Sequence, residues 1–135
     1  MGRYRDILLM YIDIDQLRVI NEEYRRAAGD EMVVISARCV ENVFQEKGTC
    51  YRIGGDEFAV LVYDPEVPDE FWSERLKEEL RNIGRGCRHR FSLSLGCSHL
   101  RNKDGSLKSM GEWKYEADRK LYENKKKGDL KNGVY

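Results

Sequence analysis

Two adjacent glycines lead directly into two adjacent carboxylates at Gly54, Gly55, Asp56 and Glu57, with β-prone residues on both sides. Glycine adopts positive φ at no steric cost and has no side chain, so the pair suits a tight hairpin turn that a ligand can approach closely. Carboxylate oxygens are the ligands that Mg²⁺ prefers. The segment predicts either a hairpin whose acidic tip serves phosphate-ester chemistry or an ordinary solvated turn. A second carboxylate motif at the same point would favour the first interpretation.

Such a motif lies upstream, at the end of a short apolar run. Residues 7–12 are bulky and apolar, which is typical of a strand buried on both faces, and Asp13 and Asp15 follow at its carboxyl end. Open α/β sheets place their ligands at that end of a strand. We expect Asp13 to bind a metal ion, while Asp15 either caps a following helix or supports the site without binding the metal. If the strand pairs antiparallel with the hairpin, Asp13 and Asp56 converge on one cation.

Periodicity and chain breakers predict the elements that position these groups. The predicted order is a strand at 7–12, a helix at about 16–27 ending near Gly29, a helix capped by Asp30 and stopped by Gly48, strands at 50–53 and 58–63, a helix at 69–83, a strand at 90–97, a polar loop at 102–106, a helix at 110–127, and an edge strand at 134–135. The expected inward side chains are Met32, Val33, Ala37, Val40, Val43 and Phe44 on the second helix, and Phe71, Trp72, Leu76, Leu80 and Ile83 on the third. The pattern indicates one α/β domain.

Composition agrees with a single domain and excludes several classes. A chain of 135 residues is long enough to bury roughly two-thirds of its unfolded surface. Lys+Arg and Asp+Glu are equal at 24 each, so no bulk positive charge points to nucleic acid. No apolar stretch approaches the ~20 residues that span a bilayer, and no signal peptide is visible. The four widely spaced cysteines predict reduced thiols in a cytoplasmic protein, and the lone His89 and His99 are expected to be surface or strand residues.

The chain resembles the GGDEF domain, the family of bacterial diguanylate cyclases. The segment 54–58, Gly-Gly-Asp-Glu-Phe, is the family signature unaltered, and 13–22 resembles its Asp-x-Asp-x-Phe-Lys-x-x-Asn-Asp segment. The other matching segments are the Gly-Asp pair at 29–30, the strand at 91–96, and the final helix with Ala117, Asp118, Leu121, Tyr122, Lys125 and Gly128. Five motifs in the family's order make a specific resemblance, whereas one alone would be weak.

The resemblance implies a palm-like nucleotidyl cyclase fold, with a central, mainly antiparallel sheet of about five strands flanked by helices. It implies that a homodimer condenses two GTP molecules into cyclic di-GMP with release of pyrophosphate, using Mg²⁺ or Mn²⁺. By the family pattern, Asp13, Asp56 and the Ile14 carbonyl bind the metal. Glu57 assists at the metal or at the attacking hydroxyl, and Gly55 allows close approach of the nucleotide.

The same resemblance implies the residues that bind GTP. Asn21 and Asp30 would contact the guanine edge, although both residue types also commonly cap helices. A carboxylate accepts well from the N1–H and 2-amino groups that adenine lacks, which favours GTP over ATP. Lys125 would hold phosphate, with Arg18 where the family has lysine, and Arg52 is a further candidate.

Several departures from the family pattern leave the activity open. Gly128-Asp129-Leu130 stands where the family has Gly-Arg-Asn, and replacing a charged hydrogen bond by repulsion costs roughly 1.5–3 kcal/mol. The family's opening Asp-x-Leu-Thr-x-Leu-x-Asn-Arg stretch is missing from residues 1–135, which are expected to form a single GGDEF domain. Either the sequence was cut to begin at the first strand, or this member lacks the usual lead-in helix. The feedback motif Arg-x-x-Asp is replaced by Gln-Glu-Lys-Gly at 45–48, so product inhibition through that site is not expected.

Two interpretations therefore remain. The chain is either a working diguanylate cyclase, controlled by regulatory domains or a partner protein outside this chain, or a degenerate GGDEF module that binds GTP or a protein partner without making product. The intact signature and guanine pair favour the enzyme. The altered phosphate-binding segment favours the module.

Overall fold

The computed structural model describes residues 3–86 and 90–132, with the backbone alone at 128–132. The elements, in chain order, are β1 (Ile7–Ile14), α1 (Leu17–Glu23), α2 (Arg26–Phe44), β2 (Gly48–Arg52), β3 (Glu57–Tyr63), α3 (Asp69–Ile83), a 3-10 turn (Gly84–Gly86), β4 (Leu93–His99) and α4 (Met110–Asn132). None of the described helices is long and apolar enough to cross a membrane.

The four described strands form one antiparallel sheet in the order β2-β3-β1-β4. The predicted architecture, an antiparallel sheet flanked by helices, is confirmed. The further edge strand expected at 134–135 lies outside the described residues. Because β1 is central, its carboxyl end lies beside the β2–β3 hairpin, with Asp13 directly opposite Glu57.

Alternation along β1 divides its side chains between two cores. The even-numbered residues from Leu8 to Ile14 join a core with Met32 of α2 and Trp72 of α3. Leu9 instead packs with Trp113 and Ala117 of α4 on the opposite face, as expected for a strand covered on both sides. Full burial of each large apolar side chain contributes roughly 1.5–3 kcal/mol.

Helix α4 lies directly on β4. A Cβ built at Gly96 would come within 2.2 Å of the Leu121 nitrogen and 2.3 Å of the Ala117 carbonyl oxygen. Any side chain there would therefore force helix and strand apart. The Gly96 position fixes the height of α4 above the sheet and, with it, the side chains that α4 presents to the end of β1.

The predicted boundary between the first two helices is wrong. The break falls between Glu23 and Arg26, while Gly29 and Asp30 lie inside α2. Gly29 serves packing instead of ending a helix, because a Cβ there would lie 1.7 Å from Oδ1 of Asn21. Asp30 consequently does not cap the second helix.

The other predicted elements need smaller corrections. Helix α3 has the predicted bounds, but Phe71 is 44% exposed instead of facing inward. Helix α2 ends before Gly48, which begins β2, and β4 begins and ends later than predicted. Among the described cysteines, Cys39 and Cys97 are buried and Cys50 is half-buried, all as free thiols; Cys87 lies outside the described residues.

Candidate active site

The end of β1 and the tip of the β2–β3 hairpin are joined by the backbone. The Ile14 N–H donates to the Asp56 carbonyl oxygen at 2.9 Å, one residue past the Asp13–Glu57 pair. Directly opposed residues in an antiparallel pair project to the same face. The sheet thus brings together two acidic segments that are separated by some forty positions in the sequence.

Asp13 has one satisfied and one unsatisfied carboxylate oxygen. Its Oδ2 accepts from Lys125 Nζ at 2.7 Å, whereas Oδ1 is buried without a hydrogen-bond donor among the described residues. Burial raises the pKa of Asp13, the nearby Asp56 carboxylate raises it further, and Lys125 only partly opposes both. A buried carboxylate oxygen without a donor is costly, and a cation would satisfy it.

Glu57 lies in the same acidic environment. Burial raises its pKa, and the charges of Asp13, Asp118 and Asp56 raise it further against the opposing charge of Lys125. The sequence motif on the final helix contains Asp118, but its electrostatic influence on Glu57 was not predicted. Its position seven residues before Lys125 places both on one side of a helix, which is the signal that points to it.

Lys125 is held among the carboxylates instead of extending into solvent. It contacts Asp13 at 2.7 Å and Asp15 Oδ1 at 3.8 Å. Burial alone would lower the pKa of Lys125, but the hydrogen bond and charge of Asp13, together with Asp15 and Asp56, outweigh burial and raise it. The side chain is therefore an ammonium ion at neutral pH.

Asp15 supports this arrangement and does not cap a helix. Its carboxylate accepts from the hydroxyls of Ser92 at 2.5 Å and Ser94 at 2.8 Å. The N-cap of α1 is instead Gln16, which has a left-handed backbone with φ 61°. The capping role predicted as one alternative for Asp15 is therefore wrong. The two serines were not assigned any role from sequence, because their contact with Asp15 joins residues that are distant along the chain.

The glycine turn is shaped by a neighbouring arginine. Arg52 Nε donates to the Gly54 carbonyl and Arg52 Nη2 to the Gly55 carbonyl, both at 3.0 Å. Gly105 is the one described glycine with positive φ, so the expected use of positive φ at the Gly54–Gly55 turn is wrong. A Cβ built at Gly55 would meet nothing within 4 Å. The fold itself thus leaves open space beside Gly55.

The expected guanine-binding residues lie together at the α1–α2 junction. The Asn21 side chain packs on Gly29, which directly precedes Asp30, and both side chains are exposed. Arg18 projects from α1 with its side chain 90% exposed, 3.2 Å from Glu22. The structure therefore groups Asn21 with Asp30 and gives Arg18 a partner on its own helix.

The donor set fits a divalent cation only in part. Within 3–86 and 90–127, where side chains are described, no group of three or more His, Cys, Asp or Glu side chains is arranged to hold a metal. The expected set contains two carboxylates, Asp13 and Asp56, with the Ile14 carbonyl as a third oxygen. Its hard oxygen chemistry and the unsatisfied Asp13 Oδ1 fit Mg²⁺ or Mn²⁺, which commonly retain water or take phosphate oxygens at their remaining positions.

A family model described as the diguanylate cyclase GGDEF domain matches residues 2–131. The chain therefore belongs to the GGDEF domain family, in agreement with the signature at the hairpin tip. The fold is similar to the GGDEF domain of DgcB from Caulobacter crescentus, solved in complex with c-di-GMP, with a TM-score of 0.73 and 23% identity over 91% of this chain and 74% of that chain.

Two curated relatives carry different activities in their names. The chain is 28% identical to a diguanylate cyclase from Vibrio cholerae serotype O1, a match that covers 92% of this chain and 38% of that protein. It is 26% identical to the cyclic di-GMP phosphodiesterase PdeB of Shewanella oneidensis, covering 68% of this chain and 11% of that protein. The chain thus spans less than half the length of these relatives.

Proposed function

We propose that this chain is a catalytic GGDEF domain that condenses two GTP molecules into cyclic di-GMP, with Mg²⁺ or Mn²⁺, as a homodimer. The observation that supports this best is the buried Asp13 Oδ1 beside the acidic, glycine-containing turn, for which the described part of the chain supplies no donor. Structural packing alone leaves such an oxygen costly. A divalent cation bound between Asp13 and Asp56 accounts for it.

Each half-reaction joins nucleotides from two subunits. The 3′-hydroxyl oxygen of one GTP forms a bond to the α-phosphorus of the other, the bond from that phosphorus to the oxygen leading to the β-phosphate breaks, and pyrophosphate leaves. The metal, when bound, supplies charge neutralisation at the phosphates and lowers the pKa of the hydroxyl. A homodimer is proposed because each chain offers a single Asn21–Asp30 pair for guanine.

The chain's own residues orient and neutralise the substrate. Glu57, whose pKa is raised, would accept the proton of the attacking hydroxyl or assist metal binding. Lys125 is a cation already held at the carboxylates, and its ammonium would also be able to contact a phosphate of the substrate. Asp30 favours guanine over adenine by accepting from its N1–H and 2-amino groups.

The test is a turnover assay at high protein concentration with GTP and Mg²⁺, following pyrophosphate and cyclic di-GMP. Asp56→Asn should abolish both products, while Asp104→Asn, a matched change in an exposed loop, should leave the rate unchanged. Replacing GTP by ATP should remove turnover. Absence of product from the unsubstituted chain under Mg²⁺ and Mn²⁺ alike would refute the catalytic proposal.

The second candidate is a GGDEF module that binds GTP or a protein partner without turnover. It is favoured by Asp129 at a position where the family has a phosphate-binding arginine, a side chain outside those described. The match to a protein named as a phosphodiesterase is also compatible with a module that does not synthesise product. GTP binding by calorimetry without pyrophosphate release would support this candidate.

A further inference from the structure

The Arg52 side chain is hydrogen-bonded to the main chain of the signature turn. Its guanidinium donates from two different nitrogens to the carbonyls of Gly54 and Gly55, each at 3.0 Å. A planar fork with fixed donor directions sets the orientation of both acceptors at once, which a single-point ammonium cannot do. The contact therefore fixes two consecutive peptide units in the turn.

Fixing these carbonyls also fixes two amide groups. In a planar trans peptide the C=O and the following N–H point in opposite directions. The Gly54 and Gly55 carbonyls face Arg52, so the N–H groups of Gly55 and Asp56 face away from it. Neither N–H has an acceptor among the described residues, whereas the N–H groups of Ile53 and Gly54 both donate to the Glu57 carbonyl.

The direction of these two amides is set by the faces of the sheet. Arg52 is paired with Phe58, which lies in the core on the α2 and α3 side. Asp13 and Glu57 project to the opposite face, where Asp13 contacts Lys125 of α4. The N–H groups of Gly55 and Asp56 therefore point away from the sheet face that carries Arg52. They point toward the opposite face, which carries Asp13 and Glu57.

The turn is open on the side of Gly55. This residue is exposed, and a Cβ built there would meet nothing within 4 Å apart from its two chain neighbours. Two adjacent N–H donors in an open position form a small anion-binding concavity, which suits an oxygen of a phosphoryl group. Peptide amides set in place before the ligand arrives require no reorganisation when charge develops on that oxygen.

We propose that Arg52 is a positioning residue that presets the Gly55 and Asp56 amides to bind a phosphoryl oxygen of the nucleotide. This inference rests on the proposed cyclase function for its kinetic consequences. This positioning role differs from direct phosphate binding by Arg52, because the guanidinium orients the turn and the amides of the turn contact the phosphate. The two roles predict opposite results when the positive charge is kept but the fork is lost.

The kinetic test compares Arg52→Lys with Arg52→Met in the complete chain. We expect both variants to lose about 10- to 100-fold in kcat with KM for GTP changed less than about threefold, because oriented donors act mainly in the transition state. Arg101→Lys is the matched control, since Arg101 likewise bridges two backbone carbonyls, those of Arg5 and Gly105, in a remote loop. It should retain the original kcat.

Other outcomes would overturn the positioning role. Retention of kcat by Arg52→Lys together with its loss in Arg52→Met would show that charge, and not the fork, matters. A raised KM at unchanged kcat would indicate ordinary substrate binding. A lowered melting temperature with unaltered kcat in both variants would show a merely structural contact.

A second measurement does not depend on turnover. Amide hydrogen exchange in the nucleotide-free protein should quicken about tenfold at Ile53 and Gly54 in Arg52→Lys, and not in Arg101→Lys, because the turn loses its orientation. Unchanged exchange there would refute the role of Arg52. Failure of the cyclase proposal would show instead as no product from the original chain, so the two failures are distinguishable.

Discussion

The acidic side chains at the two ends of β1 differ in how completely they are hydrogen-bonded. Before its first residue, Asp6 accepts from Nδ1 of His99 at 2.6 Å, and Nε2 of the same imidazole contacts Asp69 at 2.8 Å. At the other end, Asp13 shares Lys125 with Asp15, and one of the Asp13 oxygens has no donor among the described residues. We call the first end the matched end, because both nitrogens of its imidazole have a carboxylate partner, and the second the unmatched end, because one of its carboxylate oxygens has no donor among the described residues.

The matched end behaves as a structural clamp. The hydrogen bond to Asp69 raises the pKa of His99 most, burial opposes it, and Asp6 raises it further, so the pKa reaches about 9. The imidazolium joins β4 to the start of β1 and to the first residue of α3. The comparison teaches that buried charge alone does not mark a site. The Asp13 oxygen without a donor among the described residues is a stronger indication, because its burial is costly until a donor or a cation completes it.

The largest expected effect comes from removing the charge at the unmatched end. Asp13→Asn should lower cyclase turnover by at least about 100-fold, because metal stabilisation of a transition state amounts to several kcal/mol. The measurement is the rate of cyclic di-GMP formation at saturating GTP. His99→Gln, at the matched end, should stay within about twofold, and an equal loss in both variants would break the contrast.

The matched end should control stability and its pH dependence. The pKa of His99 is raised from 6.5 to about 9, so its stabilisation is complete below 6.5 and is lost as the pH rises through 9. We expect the free energy of unfolding to fall by about 1–2 kcal/mol across that window, a value reduced for solvent screening at a side chain that is 36% exposed.

The control for this prediction is the difference between two denaturation series. His99→Gln removes the clamp but leaves every other titrating group in place, so subtraction isolates His99. Parallel curves for the original chain and the variant between pH 6 and pH 10 would contradict the assignment of an imidazolium between Asp6 and Asp69.

Metal addition should change the Tm in a way that depends on the unmatched end of β1 and not on the matched end. At a Mg²⁺ concentration ten times its Kd, binding to the folded state adds about 1.4 kcal/mol, a Tm rise of a few degrees. The rise should be reversed by chelation and should disappear in Asp13→Asn. His99→Gln should show the full rise from its lower starting Tm, and a loss of the response there would place the cation elsewhere.

The smallest effect is expected from the product. Residues 45–48 carry Gln-Glu-Lys-Gly in place of the feedback motif, and they join α2 to β2, which β3 separates from β1. Added cyclic di-GMP should therefore change the initial rate by less than about twofold. Progress curves with and without product measure this directly, and strong inhibition would reveal a different product site.

The parts of the fold that follow from local sequence were predicted well. The apolar run of β1 and the bounds of α3 depend on periodicity and on nearby breakers, and both hold in the structure. The α1–α2 boundary failed because Gly29 was interpreted as a helix end. Its real constraint is the Asn21 side chain, which lies against it from a neighbouring helix.

The site was predictable in its residue types but not in its pairings. The acidic turn and Asp13 were evident from sequence, whereas the Lys125–Asp13 contact joins residues 112 positions apart. The role of Asp15 was ambiguous because a carboxylate after a strand suits a cap equally well. Its serine partners come from the segment leading into β4 and from β4 itself, and that contact depends on the register of the assembled sheet.

Gly96 has a consequence for how the domain could be tuned. The α4 backbone touches β4 there, and Lys125 follows Leu121 by one helical turn. The absence of a side chain at Gly96 thus sets the distance between α4 and β4, and with it the position of the Lys125 ammonium above the sheet. A partner or neighbouring domain that tilted α4 slightly would rotate it about the contact at Gly96. The rotation would move the Lys125 ammonium toward or away from the carboxylates at the end of β1.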